Sequence, residues 1–252
     1  NRPLPFASLT GKIEFKNVSF GYQKDRPVFK CLDLSIPARS MIGLTGISGC
    51  GKTTVVNLIL RLYVPWSGAV LFDSVNADDL NTALLRQRVA IVAQQPFLFD
   101  NTIRGNISLG LKDVADKHIE QACRIAGIHG YIVSLPQGYD TVIGEDGCRL
   151  SQGQKQRLAI ARAVARDPDI LILDEAFSSV DLSSQKRIFE ELRAWRKARA
   201  TIVISHQPQI LQQTDTIIFL TPAGQSVQST HEELLRNHDK YCSALSASAE
   251  IL

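Results

Sequence analysis

No apolar run in these 252 residues approaches the roughly 20 needed to cross a bilayer, so a membrane helix within the chain is not expected. The first residues do not read as a signal peptide. There are five cysteines, Cys31, Cys50, Cys123, Cys148 and Cys242, and no CxxC pair among them. An odd count without that spacing argues against a disulfide frame or a zinc site and for reduced thiols in a cytosolic compartment. Excess charge is also missing. The formal net charge is +3 and the basic residues are scattered, so no nucleic-acid partner is expected. Internal repeats and low-complexity tracts are absent. What remains is 44% apolar and 21% charged, an ordinary globular balance with enough chain to bury a sizeable core.

The organisation is read from periodicity. Residues 1–10, with Pro3 and Pro5 blocking helix, resemble the end of a linker. "KIEFKNVSFGY" alternates apolar and polar residues and reads as a strand with a bulge or turn near Asn17. Further strands are expected at 41–46, 68–73, 89–94, 169–175, 200–206 and 216–221. Helical spacing is expected at 52–63, 113–128, 151–166 and about 183–197. Apolar strands alternating with helices argue for a mainly parallel sheet covered on both faces. The mostly helical block from about 97 to 165 interrupts it and is expected to form a subdomain.

Within that frame, "GISGCGKTT" lies between a strand and a helix, and Gly46, Gly51, Lys52 and Thr53 fit G-x-x-x-x-G-K-[ST]. Glycines allow successive N–H groups to turn inward around phosphate oxygens, and the helix start adds partial positive charge. Lys52 has the reach for the β- and γ-phosphates, and Thr53 suits Mg²⁺. The nucleotide-binding loop therefore comprises Gly46, Ser48, Gly49, Cys50, Gly51, Lys52, Thr53 and Thr54. Cys50, beside Lys52 and a helix N-terminus, is expected to be a reactive thiolate, with a buried inert thiol as the other reading.

"ILILDE" ends an apolar strand in two carboxylates at the edge where open α/β sheets bind ligands. Asp174 suits the Mg²⁺ shell, and Glu175 suits a general base for the attacking water. "LSQGQ" opens a helix, with Ser151 as N-cap and Gly153 leaving backbone N–H groups accessible. It is either a second anion cradle or an ordinary capped helix. Gln94 and His206, each expected at a strand end, are candidates for contact with Mg²⁺ or water and with a γ-phosphate; alone, either residue is as readily structural. Tyr22 follows a glycine and either stacks on a base or packs.

In this order, the motifs resemble the ATP-binding cassette (ABC) family over nearly the whole chain, from about Lys12 to Leu245. "GISGCGKTT" is similar to its Walker A motif, "ILILDE" to its Walker B, and "LSQGQKQRLAIARA" to the signature that separates this family from other P-loop NTPases. By resemblance, Tyr22 is the A-loop aromatic stacking on adenine, Gln94 the Q-loop glutamine, Asp181 the D-loop aspartate and His206 the switch histidine. Stretches 94–107, 135–154 (with Glu145 as X-loop glutamate) and 229–235 resemble the exporter branch, whose ATPase is fused to a transmembrane domain.

The fold implied is α/β: a P-loop NTPase with a mainly parallel sheet core (11–96 and 166–247), an N-terminal antiparallel β subdomain and an inserted α-helical subdomain (97–165). The cofactors implied are ATP and Mg²⁺. The partners implied are an exporter's transmembrane domain, contacted near 94–104, and a second nucleotide-binding domain paired head to tail. Each ATP would then lie between one copy's P-loop and Ser151, Gln152, Gly153 and Gln154 of the other. The implied location is the cytoplasmic face of a membrane.

Three positions depart from the family pattern. Gln152 stands for the usual glycine, Phe177 for a common threonine and Ser229 for a glycine. If position 152 required positive φ, glutamine would be strained; if it is helical, it would not. The functional expectation is an ATPase driving export. The alternatives are an ATP-held gate with little turnover and a soluble cassette ATPase of DNA repair or translation. The latter usually carries two cassettes or a coiled-coil insertion, and this chain has neither.

Overall fold

The computed structural model describes residues 9–144, 147–196, 199–221 and 224–249. In chain order the strands are β1 (Ile13–Phe20), β2 (Phe29–Ile36), β3 (Met41–Gly46), β4 (Ser67–Phe72), β5 (Val75–Asn76), β6 (Val89–Val92), β7 (Asn101–Thr102), β8 (Val142–Ile143), β9 (Ile170–Asp174), β10 (Ala200–Ile204), β11 (Thr216–Leu220) and β12 (Ser226–Ser229). The helices are α1 (Lys52–Ile59), α2 (Thr82–Arg88), α3 (Ile103–Ile107), α4 (Asp116–Ile125), α5 (His129–Ser134), α6 (Gln152–Ala165), α7 (Leu182–Trp195), α8 (Pro208–Leu211), α9 (His231–Asn237) and α10 (Asp239–Ala249).

The central sheet has the order β12-β11-β3-β10-β9-β6. Its strands run parallel except β12, which pairs antiparallel at the edge. Strand β9 shows why its sequence is an uninterrupted apolar run. Ile170 and Ile172 pack toward α1 and the antiparallel sheet, while Leu171 and Leu173 pack toward the helices of the inserted block. Both faces are covered, so side chains alternating in direction must all be apolar.

The second sheet, β2-β1-β4-β5, is antiparallel. Phe15, Phe29, Leu32 and Phe72 from it share one core with Ile42, Leu44, Ile202 and Ile204 of the central sheet and with Val55 and Ile59 of α1. The bulge expected near Asn17 is present: Phe15 faces Leu34 and Val18 faces Leu32, so β1 spends one more residue than β2 over that step, and Asn17 has φ 49. A counter-bulge follows in β2, where Cys31 takes φ 53 between Phe29 and Leu32.

Between β6 and β9 lie α3 to α6 and the short pair β7–β8. The helical run expected over 113–128 is α4, closed by Gly127 at φ 65 and followed by the separate α5. Helix α1 ends at Ile59, short of the expected 63, because Arg61 turns to φ 52. At the chain's start, Leu9 is buried and its N–H donates to Asp169 Oδ2 at 2.8 Å. The proline-bearing residues before it lie outside the described residues, as does Glu145. Among the described residues, no helix is long and apolar enough to cross a membrane.

Candidate active site

Parallel strands point their C-terminal ends the same way, and this sets the glycine loop, Gln94, Asp174, Glu175 and His206 along one edge of the central sheet. Strand β3 ends at Gly46 and delivers the loop 47–51 to the start of α1. Gly51, at the N-cap of α1, has φ 105, and a Cβ there would lie 2.5 Å from the Phe29 ring. Only glycine satisfies both demands. Ser48 and Gly49 are exposed at the loop's crest, and Lys52 Nζ donates to the Gly46 carbonyl at 2.9 Å, which holds the ammonium over the loop. In the first turn of α1, Thr53 is exposed and Thr54 buried.

Cys50 differs from expectation. It is buried, and desolvation pushes its thiol above the ordinary range while Lys52 opposes this only in part. The lysine that was to activate the thiol is turned to backbone carbonyls, and the site reads as an inert packed thiol.

Asp174 closes β9, and burial raises its carboxyl, with Lys52 opposing. Glu175 follows at φ 48, its N–H donating to the Ile204 carbonyl of β10 at 3.0 Å. Burial, with Asp174 beside it, pushes the Glu175 carboxyl up to about 7. Its Oε1 is buried without a hydrogen-bond partner and lies 3.9 Å from His206 Nε2. His206 sits two residues beyond β10, and burial followed by Lys52 lowers its pKa.

Gln94 lies in an exposed bend beyond β6, which stops at Val92 rather than reaching 94. Tyr22 is 51% exposed, yet its hydroxyl is 3.1 Å from Thr54 Oγ1 and accepts from Asn57 Nδ2 at 3.0 Å. Phe20 and Tyr63 stand nearly perpendicular to its ring at 5.3 and 5.1 Å. The tyrosine is thereby pinned to α1 with half its surface open.

Ser151 caps α6 as expected. Its Oγ accepts from the Gln154 N–H at 3.2 Å, and Gln154 Oε1 accepts from the Ser151 N–H at 2.7 Å, a reciprocal capping box. Gln152 opens the helix with ordinary helical backbone, so a strained glutamine at this position is excluded. By helix geometry the N–H groups of Gln152 and Gly153 have no intrahelical acceptor. A Cβ on Gly153 would lie 2.4 Å from the Ser179 carbonyl oxygen, so this glycine is required by packing within the chain. Asp181 caps α7 by accepting from Ser184 N–H at 2.9 Å and from the Ser183 hydroxyl at 2.6 Å, bonds that hold its carboxyl well below the usual range. No hydrogen bond among the described residues joins residues 151–154 to the loop at 46–54.

Sequence reasoning passed over Asn57, which anchors Tyr22, and Gln156. The latter is a fully buried amide on the same side of α6 as Ala159, Ile160 and Ala163. A polar residue in an otherwise apolar helical stripe is the signal that could have found it.

A glycine loop from strand to helix, with an acidic pair ending the parallel strand next but one in the sheet, defines a P-loop NTPase. A family model described as ABC transporter matches residues 29–178, and the chain belongs to that family. It is an ATP-binding ATPase domain of the kind found in ABC exporters. It is 42% identical over 233 residues to an ATP-dependent lipid A-core flippase of Syntrophus aciditrophicus, covering 92% of this chain and 39% of the relative. It is 45% identical over 230 residues to ABC transporter B family member 1 of Arabidopsis thaliana, covering 90% of this chain and 18% of the relative. A solved structure of a bacterial Atm1-family ABC exporter with ATP bound superposes with a TM-score of 0.88 at 36% identity, over 98% of this chain and 44% of that one. The chain thus spans less than half the length of these proteins.

Proposed function

We propose that this domain binds MgATP, pairs head to tail with a second nucleotide-binding domain, and hydrolyses ATP to drive substrate export. The observation that carries this reading is the buried Glu175 carboxyl, raised to about 7 and lacking a partner for Oε1, at the end of a strand beside the P-loop. That is the protonation behaviour of a general base matched to neutral pH.

In this reading the loop N–H groups and Lys52 bind the phosphates, and Tyr22 stacks on the adenine. The Thr53 hydroxyl, Asp174 and Gln94 are oxygen donors suited to a hard cation. Among the described residues there is no group of three or more His, Cys, Asp or Glu that could hold a metal, so phosphate and water must complete the shell. Mg²⁺ bound there supplies charge neutralisation on the phosphates. Glu175 takes the proton of the attacking water, and His206, kept neutral, donates a hydrogen bond toward the γ-phosphoryl oxygens.

The second half of the site comes from the partner copy: Ser151 and the free N–H groups of Gln152 and Gly153 face the γ-phosphate, with Asp181 at the interface. The capping box supports this, because it fixes the helix start while leaving those N–H groups available. The exposed Phe97 and Phe99 lie just beyond Gln94 and support contact there with a transmembrane domain, which would set the domain on a membrane's cytoplasmic face. The test is phosphate release on MgATP together with sedimentation of the Glu175→Gln variant. Failure of ATP to pair that variant would overturn the sandwich, and absence of turnover in the parent would move the reading to an ATP-held gate.

A further inference from the structure

The start of α6 and the turn after Glu175 are locked to each other. Gln156, wholly buried, uses both ends of its amide on that turn: Nε2 donates to Ser178 Oγ at 2.8 Å, and Oε1 accepts from the Ser179 N–H at 3.0 Å. One turn earlier in the helix, Gly153 lies so close to the Ser179 carbonyl that a Cβ would stand 2.4 Å from it. From α7 the buried Gln185 donates to the carbonyls of Phe177 at 3.1 Å and Val180 at 2.8 Å. The turn also closes on itself, Ser178 N–H to the Glu175 carbonyl at 3.3 Å and Val180 N–H to the Phe177 carbonyl at 3.1 Å. A buried amide left unpaired would carry its full desolvation cost, so both glutamines are committed to this turn.

We propose that Gln156 is a positioning residue that sets the turn bearing Glu175 from the signature helix, making the two a single rigid unit. The inference rests on the paired-domain reading above. There, one chain contributes its Glu175 to one ATP and its Ser151 to the other. A rigid link between them means that movement of α6 on one γ-phosphate is felt at the base of the other site. Gln156 itself touches neither nucleotide. Its loss therefore acts on the chemical step, which needs the carboxylate in register, and spares ATP capture by the P-loop of the same chain.

Two variants test this. Gln156→Leu keeps the side-chain bulk and removes both bonds; Ser178→Ala removes one of them on the exposed turn. Turnover, equilibrium MgATP affinity and nucleotide stoichiometry are measured for each and for the double variant. We expect kcat of Gln156→Leu to fall roughly ten- to a hundredfold while Kd for MgATP and the stoichiometry stay within about twofold of the parent. Ser178→Ala is expected to lose less, and to lose nothing further in the Gln156→Leu background. Equal kcat per bound nucleotide in parent and Gln156→Leu would overturn the inference. So would losses of stoichiometry and kcat in proportion, which is the signature of a merely structural residue, or additive losses in the double variant. If the parent itself bound MgATP without turning it over, the functional reading would fall first, separately from the role of Gln156.

Discussion

Glu175 Oε1 lies 3.9 Å from His206 Nε2 and makes no hydrogen bond. The distance is too long for one. Burial and Lys52 hold His206 toward its neutral form, so the contact is not an ion pair either. The two groups lie in van der Waals contact, each desolvated and neither satisfied by the other. In the function proposed above, both groups are left unpaired for the attacking water and the γ-phosphoryl group to engage.

Replacing Glu175 by glutamine keeps the volume and removes the proposed base. We expect ATP turnover to fall by about 10²–10⁴-fold, with ATP-dependent pairing retained. Phosphate-release assays and sedimentation with MgATP read the two effects separately. Turnover within a few-fold of the parent would show that another group takes the proton.

The same residue links stability to pH. Its folded pKa of about 7 lies above its ordinary 4.5, so between these values the folded chain holds a proton that the unfolded chain has released. The nucleotide-free domain therefore has its full stability from this group below the unfolded value and loses it as pH rises through about 7, by an amount on the order of 3 kcal/mol. Glu175→Gln abolishes that loss. Thermal melts without nucleotide should show the variant more stable than the parent at pH 8, by roughly 5 °C or more, with the difference shrinking toward pH 5. A difference of the same size at both pH values would rule out the titration.

The thiols should react in order of exposure. Cys31 is exposed, while Cys50 and Cys123 are buried, and burial pushes Cys123 up to about 12. Mass spectrometry after brief alkylation of native protein should find Cys31 modified and Cys50 and Cys123 protected until the chain unfolds. MgATP should make little difference to Cys50. Fast nucleotide-sensitive labelling of Cys50 would show that the loop opens in solution.

At the α6 start, Gln152→Gly should change turnover by less than about tenfold, since the position is helical and glutamine is unstrained there. Ser151→Arg fills the cap proposed to face the partner's phosphate with bulk and should be severe. Gly153→Ala should also be severe, because its methyl would meet the Ser179 carbonyl oxygen at 2.4 Å. Parallel assays at saturating MgATP separate these outcomes. A hundredfold gain for Gln152→Gly would instead mark the glutamine as an obstruction and favour a slow gate.

Some elements could not be read from local pattern. Strand β2 was not anticipated, because the extra residue at Cys31 breaks the alternation of Phe29, Leu32, Leu34 and Ile36 that would have announced it. The helix α2 and the C-terminal α9 and α10 also escaped notice. The terminal helices owe their place to Leu234 and Tyr241 packing on Ile217 and Phe219 of the central sheet, a long-range contact. By contrast β3, β9, β10 and β11 were legible, because strands covered on both faces must be apolar throughout.

The chemistry legible in the amino-acid sequence was the chemistry of neighbours. A glycine loop before Lys52 and Thr53, two carboxylates ending an apolar strand and a serine three residues before Gln154 each act through contiguous spacing, and contiguous spacing is what a sequence records. Tertiary structure alone decided the raised carboxyl of Glu175, its contact with His206, the burial of Cys50 and the reason for Gly153. Each depends on burial or on contact with residues that are remote in the chain: desolvation of the Glu175 carboxyl with Lys52 near it, desolvation of the Cys50 thiol, and the Ser179 carbonyl against the glycine. Burial and proximity are properties of the packed chain, so the same letters in an unfolded chain would carry neither the raised carboxyl nor the guarded thiol.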